Sequence, residues 1–323
     1  MQTTLLPNTT LQVSPVALGT SGLGTSLNLD ESYRLLDAYL DAGGNFVDTA
    51  AVYSDWVPGE KSRVEKLLGD WMAARKNRQR IVLGTKGAHP ELKTMHISRL
   101  SNADIDHDIK ASLRHLQTDV IDLYWLHRDD TRRPVEEIID TLNRHVQAGR
   151  LRYFGASNWS SDRIRAANDY AQKSRQQGFV GNQMLWNIGL PDMNAFSDKT
   201  TISMDAGMWH YHRQSGLAAI PYTSQAGGYF NKLLEGRLDR TSHMTRVYEG
   251  EANQRVAQTI LSMVGEENLS ITQVVLGYLL SQPFVTVPIV GCRSLEQLRD
   301  SLSAVNVRYR PEWMAKFAEA RGW

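Results

Sequence analysis

The chain has 323 residues, of which 41% are hydrophobic and 22% charged, and this composition is ordinary for a soluble globular enzyme. Its formal net charge of +1 gives no electrostatic reason to expect nucleic acid or an anionic membrane as a partner. The single cysteine, Cys292, rules out an intrachain disulfide. The segment MQTTLLPNTTLQVSP lacks the basic and apolar regions of a secretory signal, and no apolar run approaches the roughly 20 residues that span a bilayer. We therefore expect a cytoplasmic protein.

Short apolar runs alternate with longer amphipathic stretches along the chain, which is typical of repeated βα units. The segment LLPNTTLQVSP predicts a β-hairpin at the floor of a barrel. The strand candidates that follow are VALGT, NFVDTA, RIVLGTK, IDLYWLH, RYFGASN, VGNQMLWN, LAAIPYT and VTVPIV. Because these runs are continuously apolar, they are expected to be buried on both faces, as in a parallel sheet. No Pro/Gly/Ser-rich linker divides the chain. The pattern predicts one domain over residues 1–323, a single (β/α)8 TIM barrel with an N-terminal β-hairpin and long loops on the C-terminal face.

Helical periodicity fills the segments between the strand candidates. The helix candidates are ESYRLLDAYLDAGG, SNADIDHDIKASLRHLQ, PVEEIIDTLNRHVQAG, SSDRIRAANDYAQKSRQQG, ISMDAGMWHYHRQSG, EANQRVAQTILSMVGEENL, ITQVVLGYLLSQ and SLEQLRDSL. Longer connections, residues 54–63, 88–99, 187–200 and 224–248, each follow a strand candidate. They are expected to overhang the mouth of the barrel, where loop variation sets substrate choice.

Four polar residues stand at or just past the ends of buried strand candidates: Asp48, Tyr53, Lys86 and His127. The C-terminal ends of parallel barrel strands gather active-site groups, so these side chains are expected to converge. A lysine charge beside a phenol favours the phenolate and makes the phenol's proton transferable. An aspartate keeps that lysine charged, and an imidazole can polarise a carbonyl oxygen. No second histidine stands at a metal-ligand spacing, so no metal is expected.

The segments NFVDTAAVY, GTK, LYWLH and GASN, in this order, resemble the aldo-keto reductase superfamily of NAD(P)H-dependent carbonyl reductases. The resemblance extends from VALGT near the start to VPIVGCRSLEQLRDS near the end. It implies a reductase of an aldehyde or ketone in which Tyr53 is the general acid, Lys86 pairs with Asp48, and His127 positions the carbonyl oxygen.

The resemblance also implies an NAD(P)H site on the barrel itself, and no Rossmann GxGxxG follows the first strand candidate. The expected contacts from strand ends are Gly19, Thr20, Asp48, Ser157, Asn158, Gln183 and Tyr222. The TSQAGG stretch contributes Thr223, Ser224, Gln225, Gly227 and Gly228 near the pyrophosphate. The segment after the last strand contributes Gly291, Arg293, Ser294, Gln297, Asp300 and Ser301.

Arg293 and Ser294 begin that last segment at the start of a helix candidate, which is a natural anion site. If they hold an adenosine 2′-phosphate, NADP(H) is favoured over NAD(H). The family pattern ends this segment with Glu-Asn, whereas Asp300-Ser301 stand here. A second departure follows Tyr53, where SDWVPGEKSRVEKLLG is longer than the family's usual connection.

A pocket for the substrate is expected from Tyr53, Trp56, His127, Arg128 and Trp159, since aromatic faces plus a cation suit a sugar aldehyde or sugar acid. Two other functions stay open at this stage. One is a barrel that binds the cofactor as a regulatory sensor with little turnover. The other is a lyase or isomerase in which Lys86 forms a Schiff base. The sequence does not indicate the oligomeric state.

Overall fold

A computed structural model describes residues 1–196 and 198–322 of the chain. Within those residues, two short strands form a hairpin and eight parallel strands form one sheet. The hairpin strands are β1 (Thr4–Leu5) and β2 (Gln12–Val13). The sheet strands are β3 (Ala17–Gly19), β4 (Phe46–Asp48), β5 (Val82–Gly87), β6 (Ile121–Leu126), β7 (Leu151–Ser157), β8 (Gly181–Gln183), β9 (Ala218–Ala219) and β10 (Ile289–Val290).

The sheet closes on itself, which confirms the predicted (β/α)8 barrel. Strands β3 to β9 are neighbours in chain order, and β10 lies beside β3. The remaining gap is bridged by backbone hydrogen bonds: Ala219 N–H donates to the Val285 carbonyl at 2.9 Å, and Val287 N–H donates to the Ala219 carbonyl at 2.9 Å. All eight strand candidates of the sequence are present. The C-terminal ends of the strands therefore meet at one rim.

The predicted hairpin is also confirmed, and it packs against one end of the barrel. Thr4 pairs with Val13 in an antiparallel register. Leu6, Leu11 and Val13 are buried in the same apolar cluster as Trp125 in β6. The floor of the barrel is thus closed by the hairpin, and the opposite end is left for chemistry.

The helices surround the sheet, and every helix candidate of the sequence is present. The bounds are α1 (Leu29–Asp41), α2 (Arg63–Arg75), α3 (Asn102–His115), α4 (Val135–Gln147), α5 (Ser161–Lys173), α6 (Ala206–Ser215), α7 (Tyr229–Leu234), α8 (His243–Tyr248), α9 (Glu251–Glu267), α10 (Ile271–Leu280), α11 (Leu295–Ser303) and α12 (Pro311–Arg321). Helices α2, α7, α8 and α12 were not predicted. None of the helices found in the described ranges is long and apolar enough to cross a membrane.

The sequence of helix α2, which was not predicted, contains a pattern that indicates a helix. Its apolar residues Val64, Leu67, Leu68, Trp71 and Met72 are buried and follow the spacing of one helical face. The helix begins where the long connection after Tyr53 ends, at Arg63. Helices α7 and α8 are single short segments inside the connection 224–248, so that loop is partly helical.

The barrel interior below the rim is filled by the indole of Trp125, and glycines on neighbouring strands leave room for it. A Cβ atom at Gly155 in β7 would lie 2.3 Å from Trp125 Cζ3. At Gly84 in β5, a Cβ atom would lie 3.2 Å from both Trp125 Nε1 and Asp48 Oδ1. These close approaches place the indole directly beneath the carboxylate of Asp48.

Candidate active site

The centre of the rim is a buried ion pair between two adjacent strands. Asp48 ends β4, and Lys86 lies near the end of β5. Lys86 Nζ donates to Asp48 Oδ2 and, at 2.8 Å, to the Thr49 carbonyl. Gln183 Nε2 donates to the other carboxylate oxygen, Asp48 Oδ1, at 2.8 Å. The side chains of Lys86 and Asp48 are only 2% and 0% exposed, so water does not weaken the pair.

The charge state of this pair follows from its contacts. Burial lowers the pKa of Lys86, but the negative charge of Asp48 and the nearby phenol of Tyr53 outweigh burial and leave that pKa raised. Burial raises the pKa of Asp48, against the pull of the Lys86 ammonium. Because both oxygens of Asp48 accept hydrogen bonds from protein donors, the geometry holds the carboxylate form. Lys86 is therefore a protonated, fixed cation at neutral pH.

Tyr53 lies above this cation, on the turn that leaves β4. The backbone N–H of Tyr53 donates to the Ala50 carbonyl at 3.1 Å, which closes the turn. Its ring centroid is 4.9 Å from Lys86 Nζ, and the ring is partly exposed at the mouth. The next residue, Ser54, has φ +66° and donates its hydroxyl to the Ser21 carbonyl at 3.2 Å. The left-handed turn thus directs the tyrosine back over the barrel.

His127 completes the group. It follows β6, and its ring centroid is 6.2 Å from that of Tyr53 in an edge-on arrangement. Burial, followed by the charge of Arg128 and the nearby His89, holds the pKa of His127 well below its usual range. The imidazole is therefore neutral at neutral pH. Its Nδ1 is buried and has no hydrogen-bond partner in the described part of the chain. A neutral imidazole can donate a hydrogen bond to a carbonyl oxygen without carrying a charge.

Sequence reasoning missed His89, which belongs to the same cluster. Its ring centroid is 4.7 Å from that of His127. Burial and the charge of Arg128 lower the pKa of His89. The available signal was its position three residues after Lys86, at the same strand end.

Several residues expected at the nicotinamide lie around this cluster, and most make contacts within the protein. Thr20 Oγ1 donates to the Asp48 carbonyl at 3.0 Å. Gly19 has no room for a side chain, because a Cβ atom would lie 2.7 Å from Ile289 Cγ2. The oxygen Gln183 Oε1 is buried and accepts no hydrogen bond from residues 1–196 or 198–322. An orphaned acceptor at this position matches the N–H₂ group of a carboxamide.

Asn158 and Tyr222 form a pair beside it. Tyr222 donates its hydroxyl to Asn158 Oδ1 at 2.5 Å, and Asn158 Nδ2 donates to Ser157 Oγ at 3.2 Å. Asn158 has φ +60° and also donates from Nδ2 to the His127 carbonyl at 3.2 Å. Burial raises the pKa of the Tyr222 phenol, so this hydroxyl stays protonated. The hydrogen bond to Asn158, which directly follows β7, thus holds the ring of Tyr222 in place.

The residues expected near the pyrophosphate and adenosine form a second group, in which the loop after β9 contacts α11. Gln225 Nε2 donates to Ser301 Oγ at 2.8 Å, and Ser224 Oγ donates to the Ile289 carbonyl at 2.6 Å. Left-handed backbone follows at Gly227 and Gly228, with φ +62° and +77°, and Thr223 has φ +52°. These contacts join the loop to β10 and to the C-terminal half of α11.

In α11 and just before it, several of the expected cofactor contacts already have partners within the protein. Ser294 is the N-cap and accepts from Gln297 N–H at 3.2 Å, while Gln297 Oε1 accepts from Arg293 N–H at 2.8 Å. Asp300 Oδ1 accepts from the hydroxyl of Ser270 at 2.8 Å. By contrast, the Arg293 side chain is exposed and has no partner in the described ranges, and a Cβ atom at Gly291 would meet open space. The segment therefore fits a phosphate through Arg293 and the open backbone at Gly291.

The structure separates the residues expected in the substrate pocket. Trp56 is 56% exposed at the mouth, with its ring centroid 6.4 Å from that of Tyr53. Trp159 does not line the mouth: it is fully buried and packs edge-on against Phe179 with a centroid distance of 5.2 Å. It lies in the apolar layer between the sheet and the outer helices, which sequence spacing alone does not reveal.

Arg128 lies at the rim, but all of its nitrogens are engaged. Nη2 donates to Asp198 Oδ2 at 2.6 Å, Nε donates to Thr200 Oγ1 at 2.6 Å, and Nη1 donates to the His127 carbonyl at 2.7 Å. These bonds fasten the connection after β8 to the end of β6. The contribution of Arg128 to a substrate pocket stays a prediction, and its guanidinium is already paired with Asp198.

The arrangement was compared with known proteins. The sequence profile of the Aldo/keto reductase family matches residues 15–321. Aldo-keto reductase ausK of Aspergillus calidoustus is 30% identical over 338 residues, covering 98% of this chain and 81% of that protein. Aryl-alcohol dehydrogenase NADP(+) of Phanerodontia chrysosporium is 32% identical over 346 residues, covering 96% and 83%. Norsolorinic acid reductase stcV of Emericella nidulans is 29% identical over 322 residues, covering 95% and 78%. With a closed barrel whose polar residues meet at one rim, this chain belongs to the aldo/keto reductase family.

Proposed function

We propose that this protein is an NADPH-dependent reductase that converts an aldehyde or ketone to the alcohol, with Tyr53 as the general acid. The observation that carries the proposal is the buried Asp48–Lys86 pair beneath the phenol of Tyr53. The distance from Lys86 Nζ to the centroid of the Tyr53 ring is 4.9 Å. A buried cation beside a phenol favours release of the phenolic proton. The same contacts argue against a Schiff-base enzyme, because a protonated Lys86 is not a nucleophile.

Each of the four residues has a distinct role in this proposal. Tyr53 delivers its proton to the carbonyl oxygen, and Lys86 stabilises the phenolate that remains. Asp48 keeps Lys86 charged and oriented. His127, as a neutral imidazole, donates a hydrogen bond to the same carbonyl oxygen and aligns it with the phenol. In the reverse direction, the Tyr53 phenolate accepts the proton of an alcohol.

NADPH would supply the hydride when bound, and several residues fit the task of holding it. Gln183 Oε1 offers a buried acceptor, and Asn158 and Ser157 offer polar groups beside it. Arg293 offers an exposed guanidinium with the charge and shape to recognise a 2′-phosphate. One relative is named as an NADP(+) enzyme, which supports the preference for NADP(H) over NAD(H).

The mouth favours an aromatic or polyhydroxylated carbonyl substrate over an anionic one. Trp56 offers an exposed aromatic face next to Tyr53, whereas the charge of Arg128 is neutralised by Asp198. A relative named for aryl alcohols supports the aromatic class. A sugar aldehyde remains within the proposal, and a sugar acid is no longer favoured.

The test is a Tyr53→Phe variant, which removes the phenolic hydroxyl and keeps the ring. Turnover with benzaldehyde is expected to fall by about 10²-fold or more, with NADPH affinity unchanged. A matched control is Tyr170→Phe on the outer helix α5, whose hydroxyl contacts Asp140 and is remote from the rim. The readout is single-turnover loss of NADPH absorbance. Near-normal reduction by Tyr53→Phe contradicts the assignment, and a wild-type protein that binds NADPH without turnover points to a sensor.

A further inference from the structure

His89 stands beside the proposed catalytic residues, and the mechanism above gives it no role. Its ring is partly exposed, and its centroid lies 4.7 Å from that of His127 in an edge-on arrangement. The ring centroid of His127 in turn lies 6.2 Å from that of Tyr53, so the ring of His127 contacts the rings of both Tyr53 and His89. A group bound at Tyr53 and His127 is therefore within a few atoms of His89.

The backbone that precedes His89 is fixed by specific contacts. Ala88 has φ +57°, a left-handed conformation that residues with a Cβ rarely adopt. The Ala88 N–H donates to Asp108 Oδ2 at 2.8 Å, and Asp108 is itself bound by Arg99. Residues that are held in a strained backbone conformation by surrounding hydrogen bonds are concentrated at functional sites. The turn from Lys86 to His89 thus holds the imidazole at one position on the rim.

The hydrogen bonding of His89 identifies its tautomer. His89 Nδ1 lies 2.6 Å from the Pro90 carbonyl oxygen. Because a carbonyl oxygen only accepts, Nδ1 carries the hydrogen. Burial and the charge of Arg128 lower the pKa of His89, so the ring is neutral at neutral pH. Nε2 is then a hydrogen-bond acceptor, and none of the side chains in the described ranges donates to it.

We infer that His89 is a specificity-determining residue whose Nε2 accepts a hydrogen bond from a hydroxyl group of the substrate. The hydroxyl would stand one or two carbons from the carbonyl carbon, because the rings of His89 and His127 are adjacent. The preferred substrate class is therefore a hydroxy-substituted aldehyde or ketone, from an aliphatic or an aromatic source. This inference rests on the proposed reductase function.

The test compares substrate pairs that differ in one hydroxyl: lactaldehyde with propanal, and salicylaldehyde with benzaldehyde. His89→Phe keeps a ring and removes the acceptor, and His89→Gln keeps an acceptor near the position of Nε2. His96→Phe is the control, since His96 is an exposed histidine on the same connection. For each variant, kcat/KM is measured with all four compounds.

The wild type is expected to prefer the hydroxylated member of at least one pair, and His89→Phe is expected to reduce that preference by about three- to tenfold. His89→Gln should restore part of it, and His96→Phe should leave it unchanged. A loss confined to the lactaldehyde pair identifies an aliphatic substrate, and one confined to the salicylaldehyde pair an aromatic one. An equal effect of His89→Phe on both members of each pair, or no effect, overturns the inference. If the wild type reduces none of the four compounds, the proposed function itself fails.

Discussion

The Asp48–Lys86 pair makes a prediction about stability as well as chemistry. In an Asp48→Asn variant, the ammonium of Lys86 loses its counter-charge while its side chain remains 2% exposed. Breaking a buried pair by removing one partner costs about 3–5 kcal/mol. The free energy of unfolding of a typical protein is about 5–15 kcal/mol, so this loss is a large share of it. We therefore expect a folded but markedly destabilised variant at neutral pH.

The pH dependence of that loss is the sharper part of the prediction. In the wild type, the pKa of Lys86 in the folded protein is raised above the value of about 10.4 in the unfolded chain. The contribution of Lys86 to stability is therefore fully present below about pH 10.4 and is lost as pH rises through the pKa of the folded protein. Without Asp48, burial dominates and the folded pKa falls below the unfolded one. The unfolded chain then binds one more proton than the native chain. The free energy of unfolding of Asp48→Asn should therefore rise by about 1.4 kcal/mol per pH unit between the new folded pKa and about pH 10.4.

The assay is urea denaturation followed by tryptophan fluorescence at a series of pH values from 7 to 10. The control Asp37→Asn breaks an ion pair with Arg75 whose side chains are 33% and 46% exposed, and it should cost about 0.2–1 kcal/mol with no added pH slope. A double variant, Asp48→Asn with Lys86→Met, should recover most of the lost stability because no buried charge remains. Parallel pH curves for Asp48→Asn and wild type, or no recovery in the double variant, would refute the reasoning.

Two further predictions concern the cofactor and the loop over the mouth. Arg293→Ala should weaken NADPH binding about tenfold to a hundredfold and leave NADH binding nearly unchanged. The control is Arg299→Ala on α11, and equal losses for both cofactors in isothermal titration would contradict a 2′-phosphate contact. Asp198→Asn removes the charge that pairs with Arg128 and should release the connection after β8, which raises KM and speeds protease cleavage in that connection. If cleavage and KM both match wild type, this pair does not hold the loop.

The sequence predicted the barrel and the four rim residues because both depend on local pattern. A buried strand shows itself as a continuous apolar run, and the polar residue that ends it, such as Asp48 or His127, lies next to that run in the chain. Helix α2, which was not predicted, has a local pattern of the same kind in the spacing of its buried apolar residues. Features of this type can be read from one sequence.

Side-chain partners from distant segments could not be predicted in the same way. Arg128 follows His127 directly, yet its partners Asp198 and Thr200 are 70 and 72 residues away. Trp159 follows a strand end as Trp56 does, but it turns into the layer beneath the helices. The direction of such a side chain depends on which segments pack around it. His89 was missed for the same reason, since the residue that it contacts, His127, follows the next strand of the sheet.

A comparison of two buried aspartates, Asp48 and Asp122, favours a chemical over a folding role for the pair at Asp48. Asp122, at the N-terminal end of β6, accepts hydrogen bonds from Arg78, Arg152 and the Leu83 N–H, and the two arginine side chains are 21% and 43% exposed. Such cations keep much of their hydration, so this carboxylate joins strands at little desolvation cost. Lys86 has almost no exposed surface, and apolar residues of similar volume would often stabilise a fold as well or better. In the proposed mechanism, a cation placed there acts on the phenol of Tyr53 above it, at the end of the barrel where catalytic groups converge.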